Sequence, residues 1–250
     1  MQSIVTIIVF LLLSIILGAI TTTFVSLAED KKGKYFSFKE YIYCFKDFRL
    51  NLKYVIIFFI LYLLIVKTVS IVNVIIYSPV LLSLMLGFIL DIKFMIIPDT
   101  SSILMLFSGI INLVMSFSKE AMLSSFLGLL VGFLLLFVPD YLFRIIVKKD
   151  GFGMGDMKLL ASIGFFMGLK SVLVIFVISI VLSSICGIVI IIYKKIKEKN
   201  AKKDKESIKD MYIPFGPYII ASTLIILLIP AIIFTSITNY IVRIIVKKMI

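Results

Sequence analysis

At 250 residues, 62% hydrophobic and only 16% charged, this chain carries more apolar surface than a soluble fold of its length can hide. Its formal net charge of +12 would suit nucleic acid, but the basic residues lie in loops between apolar runs, which is the pattern of membrane orientation. Cys44 and Cys186 are its only cysteines and form no Cys-x-x-Cys pair, so neither a disulfide framework nor a zinc knuckle is expected. Without histidine, carboxylates, lysine and tyrosine are left for any chemistry. The reading is an all-α polytopic integral membrane protein with about eight transmembrane helices, some short or broken, forming one membrane domain over 1–250.

In chain order, the apolar runs predict spans near 3–27, 54–68, 71–90, 100–117, 121–143, 157–169, 171–193 and 217–237. The first run lacks a basic leading region and is too long for a signal peptide, so it reads as a retained span. Residues 54–90 are too many for one crossing, and Lys67-Thr68-Val69-Ser70 marks the expected turn. The short run after Asp156 reads as a helix that starts within the membrane, where protein or a water-filled cavity must satisfy its free backbone groups.

Charge orients these spans. Loops 28–53, 91–99, 144–158 and 194–212 fall on one side and hold seven, one, four and eight Lys or Arg. The opposite short loops hold only Lys67, Lys119 and Lys170. The positive-inside rule makes the crowded side cytoplasmic. The basic loop 194–212 is expected to be solvated and close to anionic lipid headgroups. The tail from Tyr240 has an amphipathic look.

Two polar islands interrupt this pattern, Asp91-Ile-Lys-Phe-Met-Ile-Ile-Pro98-Asp99 and Gly151-Phe-Gly153-Met-Gly155-Asp156-Met-Lys158. Each sets a carboxylate where a run of membrane length begins or ends. Ionisable groups at that depth are costly and usually serve a function. Two spans separate Asp91 from Asp156, and an even number of crossings returns both to one face. Helix polarity makes Asp91, at the end of a span, the better proton holder, and Asp156, at the start of one, the better base. Gly153 and Gly155 free the backbone for unusual dihedrals and for close approach of a substrate main chain. The bland alternative is that Asp156 only caps a helix. Lys93 reads as a snorkelling lysine, and Asp140, after Pro139, as interfacial. Pro98 suits a first helical turn.

The pair resembles the prepilin peptidases, membrane aspartic peptidases of the Gly-x-Gly-Asp type that remove leaders from type IV pilin-like precursors. Asp91 with Pro98-Asp99 is similar to the family's first motif, and Gly153-Met-Gly155-Asp156-Met-Lys158-Leu159 to its second. Ile213-Pro214-Phe215-Gly216-Pro217 resembles its C-terminal signature. The resemblance covers about 70–235 and implies Asp91 and Asp156 as catalytic residues, with no cofactor and no metal. Gly153, Gly155, Lys158 and Pro98 would support the site. Lys158 would either steady Asp156 or mark the interface. Asp99 falls where the family also accepts asparagine, so helix capping is expected of it.

The implied protein is a multi-pass enzyme of the bacterial cytoplasmic membrane with its site facing the cytoplasm. Its partners would be the N-terminal segments of prepilin or pseudopilin precursors, cut after a glycine, and the surrounding lipid, with no nucleic acid. Many members carry two Cys-x-x-Cys pairs in a cytoplasmic insertion and also methylate the new N-terminus. Glu29–Lys53 has no such pair, which puts methylation in doubt. An ion-coupled transporter with intramembrane aspartates is the alternative. A phosphotransferase using magnesium is weakened by the lack of adjacent paired aspartates.

Overall fold

The computed structural model describes residues 2–30, 51–65, 71–148, 151–200 and 214–228. Among these, all regular structure is helical: α1 (Gln2–Asp30), α2 (Leu52–Ile65), α3 (Ile71–Phe94), α4 (Asp99–Ser116), α5 (Lys119–Val147), α6 (Met154–Met167), α7 (Leu169–Asn200) and α8 (Gly216–Leu228). The expected turn at Lys67–Ser70, residues 31–50 with Cys44, residues 201–213 of the basic loop and the tail from Tyr240 lie outside the described residues.

Five helices are long and apolar enough to cross a membrane, through Ile8–Glu29, Tyr77–Phe94, Asp99–Ser116, Lys119–Val147 and Leu169–Tyr193. α2 and the described part of α8 are shorter apolar helices. The chain is therefore a polytopic membrane protein. Outward faces carry residues such as Ile103, Phe107, Ile110 and Val114, all exposed, as lipid-facing surface demands. Hydroxyls inside the helices bond their own backbone, for example Ser14 and Thr21 of α1 to the carbonyls of Phe10 and Leu17.

α6 lies at the centre. It packs on α4, α5, α7 and α8, and every residue from Leu159 to Phe166 is buried. Fourteen residues make a helix of about 21 Å, too short to cross the hydrocarbon core of about 30 Å. Its neighbours shield it, so its length need not match the membrane. Small residues bring it close to α5: a Cβ on Gly132 would stand 2.7 Å from the Leu160 carbonyl oxygen. At Gly128 and Gly164 each backbone fills the space a side chain would need on the other. Lipid is as apolar as these side chains, so close backbone packing of this kind, more than water exclusion, holds the helices together.

α3 packs on α1, α4 and α8. It runs three residues past Asp91 and ends at Met95, whose left-handed backbone (φ 56°) places its N–H 2.9 Å from the Asp91 carbonyl oxygen. Residues 96–98 then lead into α4, where Pro98 is the N-cap with extended backbone (φ −70°, ψ 143°). Asp99 is thus the first helical residue, not the cap expected of it, and α4 has no side-chain cap.

Candidate active site

Three acids are buried among the described residues: Asp91, Asp140 and Asp156. α3 carries Asp91 in its last turn, and α6 carries Asp156 as its third residue. The two helices are bridged by α4 and α8, each of which packs against both. The expectation that both aspartates reach one face is met in space.

Their meeting point is the first residue of α8. A Cβ on Gly216 would stand 2.5 Å from Asp91 Oδ2 and 3.1 Å from Asp156 Oδ1. Those two oxygens are buried and have no hydrogen-bond partner among the described residues. The Gly216 amide faces the Asp91 carboxylate. Asp156 turns back towards Gly153, whose absent Cβ would lie 3.3 Å from Oδ2. Two helix N-termini, those of α6 and α8, thus point at the pair and favour negative charge there. Helix polarity read from α3 and α6 alone omits α8, so it no longer separates a proton holder from a base.

A cavity of about 340 Å³ opens at this point, lined by Asp91, Asp156, the Gly151-Phe152-Gly153 segment, Met95, Pro214, Phe215, Tyr218 and the Ser183-Ser184 pair of α7. Of its lining residues, Phe152 and Phe215 pack edge to face, ring centroids 5.3 Å apart.

The glycines act differently from the sequence expectation. Gly153 has an ordinary extended backbone (φ −71°, ψ 141°) as the N-cap of α6, and Gly155 lies inside the helix. Gly168 is the residue that needs the left-handed region (φ 82°) among the described glycines. Gly155 is small because Ile97 is there: a Cβ would stand 3.0 Å from Ile97 Cβ and 3.2 Å from its carbonyl oxygen. Space, not dihedral freedom, is what the structure asks of it, and the close approach is made by this chain's own backbone.

Lys158 pairs with Asp99 at 2.8 Å on a half-exposed surface and so ties α6 to α4. Lys93 pairs with Glu29. Asp140 is not merely interfacial: Oδ1 accepts the N–H groups of Gly151 (2.9 Å) and Phe152 (2.8 Å), and Oδ2 accepts Arg144 Nε (2.8 Å). None of these ion pairs includes Asp91 or Asp156. Gly216 and Asp140 are the site residues that sequence reasoning underrated. The first lay in view within Pro214-Phe215-Gly216-Pro217. The second is a charge inside an apolar run, the signal that marked Asp91.

The fold and the site define an all-helical multi-pass membrane protein with a buried carboxylate pair at one end of its bundle. Residues 78–188, which carry both aspartates, match the type IV leader peptidase family. The stretch around Gly216 lies beyond the matched residues. The chain is similar to the prepilin leader peptidase/N-methyltransferase of Xanthomonas campestris pv. campestris, 31% identical over 134 residues, 52% of this chain and 41% of the relative. The proteins of the same name from Aeromonas hydrophila (28% over 131 residues, 52% of this chain and 41% of the relative) and Pseudomonas aeruginosa (29% over 132 residues, 52% and 41%) are also similar. The chain thus covers about two fifths of the length of these curated relatives. No solved structure matches it.

Proposed function

We propose that this chain is a membrane aspartic endopeptidase that removes leaders from type IV prepilin-like precursors at the cytoplasmic face of the membrane, with Asp91 and Asp156 as the catalytic pair. The observation that carries this reading is the convergence of two buried oxygens without hydrogen-bond partners, Asp91 Oδ2 and Asp156 Oδ1, on Gly216. A buried polar atom left unpaired costs about 1–3 kcal/mol. Two such atoms facing one point support the reading of a site completed by a reacting group.

Neighbouring carboxylates resist double ionisation, so the pair shares a proton and titrates as a unit. The ionised member takes a proton from water as the water oxygen attacks the scissile carbonyl. The protonated member donates a hydrogen bond to the developing oxyanion. Collapse of the tetrahedral intermediate breaks the C–N bond, and a proton passes from the pair to the leaving amine. No metal or organic cofactor enters this scheme. The substrate is the N-terminal segment of a prepilin or pseudopilin, a basic leader followed by an apolar helix able to lie beside the spans. The relatives' printed names and the basic loops on the Asp91 and Asp156 side support the substrate and the cytoplasmic orientation.

The test is precursor processing in membranes. Asp91→Ala and Asp156→Ala should each abolish cleavage while the protein still inserts and accumulates. The double variant should be hardly worse than either, because the pair acts as one unit. Substantial cleavage by either single variant would remove the aspartic-peptidase reading.

A further inference from the structure

Asp140 holds the segment that leads into α6. This carboxylate sits on α5, buried, in a helix whose other inward residues are small or apolar. Its two oxygens divide their work. Oδ2 faces Arg144 one turn along α5, and Oδ1 takes both the Gly151 and the Phe152 amide. Backbone N–H groups outside a helix need partners elsewhere, and Asp140 supplies them for two consecutive ones. Hydrogen bonds to a charged acceptor are about twice as strong as neutral ones.

What those two amides position is the site itself. Phe152 rests edge-on against Phe215, the residue before Gly216. Gly153 follows as the N-cap of α6, and Asp156 lies three residues on. The segment is also tight: a Cβ on Gly151 would stand 3.2 Å from Asp140 Oδ1 and 3.3 Å from Phe143 Cδ1. One buried acceptor therefore fixes the wall of the cavity and the start of the helix that carries Asp156.

We propose that Asp140 is a positioning residue of this site, clamping the Gly151 and Phe152 amides so that Asp156 and Phe152 face the cavity in a single geometry. The role rests on the peptidase reading above, and its test has an arm that does not need activity. Amide hydrogen exchange, followed by mass spectrometry on the detergent-solubilised full chain, reads the clamp directly. Asp140→Ala should make the Gly151 and Phe152 amides exchange about a hundredfold faster, the factor expected when bonds to a charged acceptor are lost. Cleavage of a prepilin precursor should fall about a hundredfold in kcat, the size of effect that a misplaced catalytic group produces, with KM little changed.

Asp140→Asn retains the Oδ1 acceptor for both amides but turns an –NH2 on Arg144, and should restore part of the exchange protection and of kcat. Asp140→Glu keeps the charge and the Arg144 partner but moves the acceptor by one methylene, and should lose kcat while the protein accumulates normally. It carries the test even where the alanine variant does not fold. Unchanged exchange in Asp140→Ala would refute the clamp. Lost protection with wild-type kcat, full activity in Asp140→Glu, or an asparagine variant as poor as alanine would each refute the positioning role. If the wild-type protein cleaves no precursor, the peptidase reading falls, and the exchange arm still decides whether Asp140 holds the segment.

Discussion

Gly216 is the residue on which both carboxylates depend for room. A methyl group there would stand 2.5 Å from Asp91 Oδ2 and 2.7 Å from Ile97 Cδ1, so the carboxylate has to swing away. Gly216→Ala is expected to lower kcat for precursor cleavage about a hundredfold, since a misplacement near 1 Å can cost that much. Wild-type turnover in purified Gly216→Ala would show that α8 does not set the Asp91 geometry. Lys158 is the contrast. Its partner is Asp99, both side chains are about half exposed, and such pairs contribute about 0.2–1 kcal/mol. Lys158→Met is therefore expected to leave cleavage close to wild type and to shift thermal stability only slightly. A loss as large as that of Gly216→Ala would place the lysine in the site after all.

At the level of elements, the question is how a helix too short to span the membrane keeps Asp156 at a fixed depth. α6 cannot anchor itself at both interfaces, so its position along the membrane normal comes from its neighbours. The contact at Gly128 and Gly164 is backbone on backbone and leaves no room for a methyl on either side. Gly128→Ala is expected to separate α5 from α6, lowering stability by about 1–3 kcal/mol as overpacked sites do, and to reduce kcat by moving Asp156. Gly18→Ala supplies the comparison. Gly18 of α1 would press its new methyl on Val55 of α2, 2.7 Å from Cγ2, in a contact that does not involve α6. It should cost comparable stability while the folded fraction keeps its kcat. Thermal unfolding in detergent together with turnover separates the two. Equal kcat in both variants would mean that α5 does not set the depth of Asp156.

Taken whole, the molecule spends its length on a membrane bundle with the carboxylate pair at one end. Its similarity to the curated relatives covers about two fifths of their length. Their printed names join leader peptidase to N-methyltransferase. The segment Glu29–Lys53 contains no Cys-x-x-Cys pair, so a zinc site built on two such pairs cannot form from it. Product released by this chain in the presence of a methyl donor is accordingly expected to carry a free, unmethylated N-terminus. Intact-mass measurement of the mature product decides it, and a one-methyl increase that depends on this chain would overturn the expectation.

The membrane class, the order of the helices and the return of Asp91 and Asp156 to one face were legible in the sequence, because each depends on local quantities: the length of apolar runs, the breaks between them and the count of crossings. The α3 boundary slipped by a few residues because a left-handed Met95, which no local signal announces, ends that helix. What only the tertiary structure decided were the partners. Gly155 is small for the sake of Ile97, Lys158 turns to Asp99, Asp140 reaches Gly151 and Phe152, and Gly216 closes on both carboxylates. Several of these contacts join segments tens of residues apart, and spacing along the chain carries no record of which backbone will come within 3 Å of which side chain. That information arises when α6 is enclosed by its neighbours, because close packing at the centre of the bundle then leaves each polar group few partners.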